Sequence, residues 1–254
     1  MNKLIEPFKE TLYTDEIGSV AIDFADITLD QLTTLAFDDV SETFLNLPIV
    51  KWATSVGKIG WSISRAVSLR KQLVFIQSLQ KENVKLEAVE KRRRAIENHE
   101  KWIEKEVETS VIYLERYANL KKAVYQVRMY RDLLNGNISF EEYEEYLAIL
   151  DQLLIGDASY LLDVISFFIK NQEDFYNLEK VNEMAKNFDK VRCGRLQALG
   201  LLEGIITSRA GSSTVDRYKP TDQGDYMYYV LRDEDDKAHP KLVLFGSPDD
   251  NKRV

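Results

Sequence analysis

Apolar residues return every three to four positions along most of the chain up to Lys170, and the returns stop only where proline, glycine or asparagine intervenes. That period belongs to amphipathic helices and leaves little room for a many-stranded β fold. Only 11 glycines and 5 prolines in 254 residues agree with it. Ile17, Val20, Ile22, Phe24, Ile27, Leu29, Leu32, Leu35 and Phe37 predict one or two helices in 15–42. Leu47-Pro48 is a break, because the residue before proline avoids the helical region and proline suits a helix start. A second pattern then runs from Ile49 through Trp52, Val56, Ile59, Ile63 and Val67 to Leu79, and a long charged helix or a pair of helices follows over 82–134.

Asn135-Gly136-Asn137 should stop that charged segment. Ser139 with Glu142 reads as a capping box for a helix to about Leu154. Gly156-Asp157 predicts another break, and Leu161, Leu162, Ile165, Phe168 and Ile169 predict a helix over 159–170. The last third changes character. We expect a helix from Asp189 to Leu202 ending at Gly204, short strands at 205–208 and 218–219 around the turn-rich Ala210-Gly211-Ser212-Ser213, and a strand or short helix over 221–232. The expected fold is mainly α. An acidic helix and a Gly-containing basic amphipathic helix occupy 1–81, a central helical region 82–156, a small α+β unit 157–232, and a charged tail 233–254.

Charge is distributed unevenly. Residues 1–42 hold ten acids against Lys3 and Lys9, which equals the net charge of −8 of the whole chain. From Thr43 to Lys81 there is no acid, while Lys51, Lys58 and Arg65 fall seven apart on one helical stripe. Charge-free stretches there, Ile59–Ser64 among them, are far short of the roughly 20 apolar residues that span a bilayer. A basic face opposite Trp52, Trp61, Ile and Val is nonetheless what an interfacial helix needs, and Gly57 and Gly60 would permit close helix approach. In a ring of subunits Asp23, Asp26 and Asp30 would stack as acidic rings favouring cations; within one chain they would simply pair with the basic stretch.

Catalytic chemistry finds no purchase. One cysteine (Cys193) and two separated histidines (His99, His239) do not make a metal site, and Gly57-Lys58-Ile59-Gly60 lacks the strand and spacing of a phosphate loop. We expect no enzyme and no cofactor. The lone thiol and the absence of a secretory signal pattern at the N-terminus favour a cytoplasmic or inner-membrane-associated place.

Two segments could meet nucleic acid. A helix with Arg192 and Arg195, the phrase Leu199-Gly200-Leu201-Leu202, a turn with Arg209, and a return strand with Arg217 and Lys219 leading into Tyr218-x-Pro220-Thr221-x-x-Gly224 look like a winged-helix module, diluted by Glu203, Asp216, Asp222 and Asp225. The run Arg92-Arg93-Arg94 after Lys91 is the other candidate, although Glu87, Glu90 and Glu97 suit it equally to a salt-bridged helix face.

Leu47-Pro48-Ile49-Val50, then Gly57-Lys58-Ile59-Gly60, Ser64-Arg65 and Arg70-Lys71, together resemble a broad group of bacterial helical antiphage-defence proteins. The most specific likeness is to the channel effector of Hailong-type nucleotidyltransferase defence. That resemblance implies a membrane-associated homo-oligomer in contact with inner-membrane lipid. It also implies a DNA oligomer or other nucleic-acid ligand and a partner nucleotidyltransferase. The expected function is therefore an oligomeric membrane-perturbing or ion-channel effector. The alternative is a cytosolic winged-helix regulator with a helical dimerisation region.

Overall fold

A computed structural model describes residues 5–13, 42–55, 63–170, 188–209 and 212–232. Among these the chain is mainly helical, with one two-stranded sheet, and it forms two compact units, Met1–Asp151 and Gln152–Val254.

The first unit contains α1 (Ile5–Leu12), α2 (Glu42–Asn46), α3 (Pro48–Ser55), α4 (Ile63–Lys81), α5 (Leu86–Glu97), α6 (Lys101–Arg116), α7 (Leu120–Asn135) and α8 (Phe140–Gln152). Pro48 opens α3 as expected, and the orphan amide of Ile49 donates to the Thr11 hydroxyl at 3.0 Å. The helix α4 is the centre of the unit. Leu69, Leu73, Phe75 and Ile76 are wholly buried, and so is Gln72. Ser68 and Lys71 are nearly so, so burial runs round the whole helix rather than along one stripe. It packs on α1, α6 and α7. Residues 63–81 and 82–151 thus share one unit, where a boundary at 81/82 was expected; a helix buried at every position from Lys71 to Ile76 needs cover on all sides.

The charged stretch 82–134 becomes three helices rather than one or two. At the first break His99 takes a left-handed conformation (φ 52), and Glu100 N donates back to Ala95 O, ending α5 in the manner of a glycine-type cap. At the second, Asn119 caps α7 by accepting from Lys121 N. Gly136 (φ 75) then ends α7, with Asn137 N donating to Asp132 O at 2.8 Å. The expected capping box of α8 is present: Glu142 N donates to Ser139 Oγ and Ser139 N to Glu142 Oε2.

The second unit contains α9 (Ile155–Lys170), α10 (Lys190–Ala198), β1 (Leu202–Arg209), β2 (Ser212–Pro220) and α11 (Asp222–Leu231). Gly156-Asp157 does not break the chain but lies in the first turn of α9, where a glycine is cheap and an acid favourable. Asp189 caps α10 through Val191 N and Arg192 N. Gly200 (φ 73) stops α10 earlier than expected, with Leu201 N donating to Leu196 O, and Leu201 and Leu202 turn into the core. The strands are longer than expected and pair antiparallel from Leu202↔Pro220 to Arg209↔Ser212, with an irregularity at Ile205/Ile206. Residues 221–232 resolve as a helix. Thr221 is its cap, accepting from Gly224 N and donating to Gly200 O.

Candidate functional site

The most densely built polar feature lies inside the first unit. Arg92 of α5 and Glu106 of α6 form a two-pronged ion pair, Nε–Oε1 2.8 Å and Nη2–Oε2 3.1 Å, with side chains 7% and 4% exposed. Tyr130 of α7 donates its hydroxyl to Glu106 Oε1 at 2.7 Å. Tyr13 and Tyr130 hydroxyls lie 2.6 Å apart. Because Tyr130's proton is committed to Glu106, Tyr13 is the donor between them. Beside this chain, Ser110 donates to Glu106 O, and Gln126 Nε2 donates to Ser110 O and to the Tyr143 hydroxyl. Arg93 Nε donates to Tyr13 O at 3.0 Å, so the residue that follows α1 is gripped at both of its polar ends.

Electrostatically the cluster is quiet. Burial pushes the phenols of Tyr13, Tyr130 and Tyr143 far above their usual range, so each stays protonated. Burial alone would lower the Arg92 guanidinium; the hydrogen bonds and charge of Glu106 outweigh it and move it upward. The three phenols are therefore not poised to exchange a proton near neutrality. The arrangement can do one thing well, which is to tie α5, α6, α7, α8 and the end of α1 together. Among the described residues no cluster of His, Cys, Asp and Glu could hold a metal ion.

Of the basic run, Arg92 faces inward and is committed to Glu106, which removes it from any outer surface. Arg93 is half-buried and pairs with Glu90. Arg94 is exposed and, with Lys91, Leu86, Glu87, Glu90, Asn98 and Glu100, lines an open cleft of about 520 Å³. Three acids against two cations give that cleft no anionic preference. Trp52 is half-buried on α3. The positions Asp23, Asp26, Asp30, Gly57, Gly60 and Trp61 lie outside the described residues. Among the described residues no single helix is long and apolar enough to cross a membrane.

In the second unit Arg192, Arg195 and Lys219 each have an acid beside them. Arg195 clamps Asp157 with two bonds of 2.7 Å, and that bonding holds the Asp157 carboxyl below its usual range. Arg192 lies 3.5 Å from Asp189 and over the Tyr160 ring. Lys219 meets its cross-strand partner Glu203 at 2.8 Å. Arg209 and Arg217 sit on β1 and β2. Cys193 is buried among core residues, and that burial pushes its thiol up. Among the described residues Asp225 is the one buried acid without a cation beside it: burial, and then the charge of Asp222, push it up to about 6.

Neither Tyr13, Glu106, Ser110, Gln126, Tyr130 nor Tyr143 stood out in the sequence. A signal was present in α6, where the buried face reads Ile103, Glu106, Val107, Ser110, Val111, Leu114. Two polar residues on an apolar stripe announce a buried network, provided the stripe is phased on Ile103 rather than on the exposed Trp102. No family model matches the chain, and no curated protein or solved structure matches it.

Proposed function

We propose that this chain is a non-catalytic effector of bacterial antiphage defence that acts as an oligomer on the inner membrane through the acid-free segment 43–81. The function would be gated through the remainder of the chain by a nucleic-acid oligomer that a partner nucleotidyltransferase supplies. The observation that supports it best is α4. It is 19 residues long without an acid, about 28 Å at the helical rise, and is wrapped by neighbouring helices as cargo would be. Lys71 within it is held by Glu115 O, and burial lowers its pKa, so removing this helix from the core also relieves a buried ammonium. The gating ligand and the setting rest on the sequence resemblance.

The test uses the full chain, because a protein starting at Glu82 would lack the central helix of its own first unit. Purified protein should release dye from anionic liposomes. Lys51→Glu, at an exposed position on α3, should cut release several-fold by repelling the surface. No release from either protein, with and without added DNA oligomers, would leave α4 an ordinary core helix.

A second reading has its own support in the order α10, hairpin, α11, which suits a winged-helix module with α10 and the β1–β2 tip toward nucleic acid. Arg192 is half exposed there, and Arg209 and Arg217 lie on the strands. It predicts duplex binding that weakens steeply with salt, and weakens again in Arg192→Ala and Arg209→Ala. Salt-independent binding, or none, would sink it.

A further inference from the structure

We propose that α1 is an autoinhibitory clasp over α3 and one flank of α4, held shut at Tyr13, so that release of Tyr13 uncovers the acid-free helix α3 and the flank of α4 that Phe8 covers. The inference rests on the effector reading for its biological meaning, but its mechanics stand on the structure alone. At eight residues α1 is too short to persist as a helix by itself, so its position depends on what it touches. Its apolar hold comes from two side chains, Phe8 against Phe75 of α4, with ring centroids 5.8 Å apart, and Leu12, both buried.

Three directional contacts do the rest. Thr11 accepts the first amide of α3 and donates to Pro7 O. The Tyr13 carbonyl accepts from Arg93, and the Tyr13 hydroxyl donates into the Tyr130–Glu106–Arg92 chain. Each is a single hydrogen bond with a defined partner, and each can be broken without removing a core side chain. α1 packs on α3, α4 and α6 together, so it touches the acid-free helix α3 and the central one at once.

Hydrogen exchange read by mass spectrometry on the full chain tests this, alongside dye release from anionic liposomes. Tyr13→Phe keeps the ring and deletes only the hydroxyl, and Arg93→Gln weakens the grip on the carbonyl. Each should speed exchange over 48–55 and 63–81 by about tenfold, the worth of one buried hydrogen bond. Peptides of 140–152 and 190–231 should keep their wild-type rates, and dye release should begin at lower protein concentration. Unchanged exchange over 63–81 in both variants overturns the clasp, as does an equal rise throughout 5–152, which would make α1 an ordinary part of one core. Local opening without dye release keeps the clasp and removes the membrane reading. Dye release that ignores both variants keeps the membrane reading and removes the clasp.

Discussion

Replacing Glu106 by alanine should be close to the most damaging single change available in the first unit. The carboxylate takes two bonds from Arg92 and one from Tyr130, and both charged side chains are less than a tenth exposed. Its removal leaves a buried guanidinium without a counter-charge, which costs about 3–5 kcal/mol. The Tyr130 hydroxyl loses its acceptor as well, adding about 1 kcal/mol. Against a total stability on the order of 5–15 kcal/mol, a loss of about 4–6 brings the unit near its unfolding threshold. With an m value of about 2 kcal/mol per molar urea, the midpoint should fall by about 2 M or more. Urea titration followed by circular dichroism and by tryptophan emission measures it, Trp102 being within 5.7 Å of Arg92 and so a local reporter. Removing both charges, Arg92→Met with Glu106→Gln, should recover most of the loss, because the cost lies in the stranded charge and glutamine still accepts from Tyr130. A midpoint for Glu106→Ala within about 0.5 M of wild type would refute the reasoning, and so would a double variant no better than the single one.

Two glycines should respond in opposite directions. A Cβ on Gly224 would overlap the Leu201 carbonyl oxygen, so Gly224→Ala should cost about 2–4 kcal/mol despite better helix propensity, whereas Gly156, in open space in the first turn of α9, should gain no more than about 0.5 kcal/mol as alanine; thermal melts read both. Asp225, raised from 3.8 to about 6, favours its protonated form in the folded state. Its contribution is therefore fully present below about pH 4 and is lost as pH rises to about 6. Asp225→Asn should remove that loss and stabilise the protein at pH 7 by about 1–2 kcal/mol, seen as a melting temperature that no longer falls between pH 4 and 6 relative to wild type. Tyr117 buries a hydroxyl that has no partner among the described residues, so Tyr117→Phe should be neutral or stabilising by up to about 1 kcal/mol in a urea titration, and a loss above that would reveal a partner, such as a buried water.

What the sequence made legible is whatever the chain encodes within a few residues. Pro48 at a helix start, the Gly136 stop and the Ser139–Glu142 box are local chemistry and appear where expected. Long-range finishing was not legible. The turn before α5 is fixed by Asn135, which accepts from Lys85 N and donates to Asn83 O. The last carbonyls of α6 and α8 accept from Lys71 and Lys122, each distant in sequence. His99 ended a helix in a role that residue type rarely announces. The candidate site was hidden for the same reason: Glu106, Tyr130 and Tyr13 carry no common spacing, and only packing brings them together. In the second unit the phrases Leu199-Gly200-Leu201 and Thr221-x-x-Gly224 were visible as words, while their relation, one closing on the other, needed coordinates.

That closure gives the hairpin an unusual freedom. Thr221 N donates to Leu201 O at 3.3 Å and its hydroxyl to Gly200 O at 2.6 Å, so the stop of α10 and the start of α11 are stitched by one backbone and one side-chain bond at the root of β1–β2. Everything between the stitches is a loop whose ends are already joined, and lengthening such a loop costs only a slowly growing entropy, about 0.6 kcal/mol per doubling. Residues inserted between Arg209 and Ser212 should therefore leave both helices where they are. The second unit is built like a handle with an exchangeable bit, its root fixed by two glycines and a threonine and its tip open to redesign, whether by selection for a new partner or by grafting a foreign sequence.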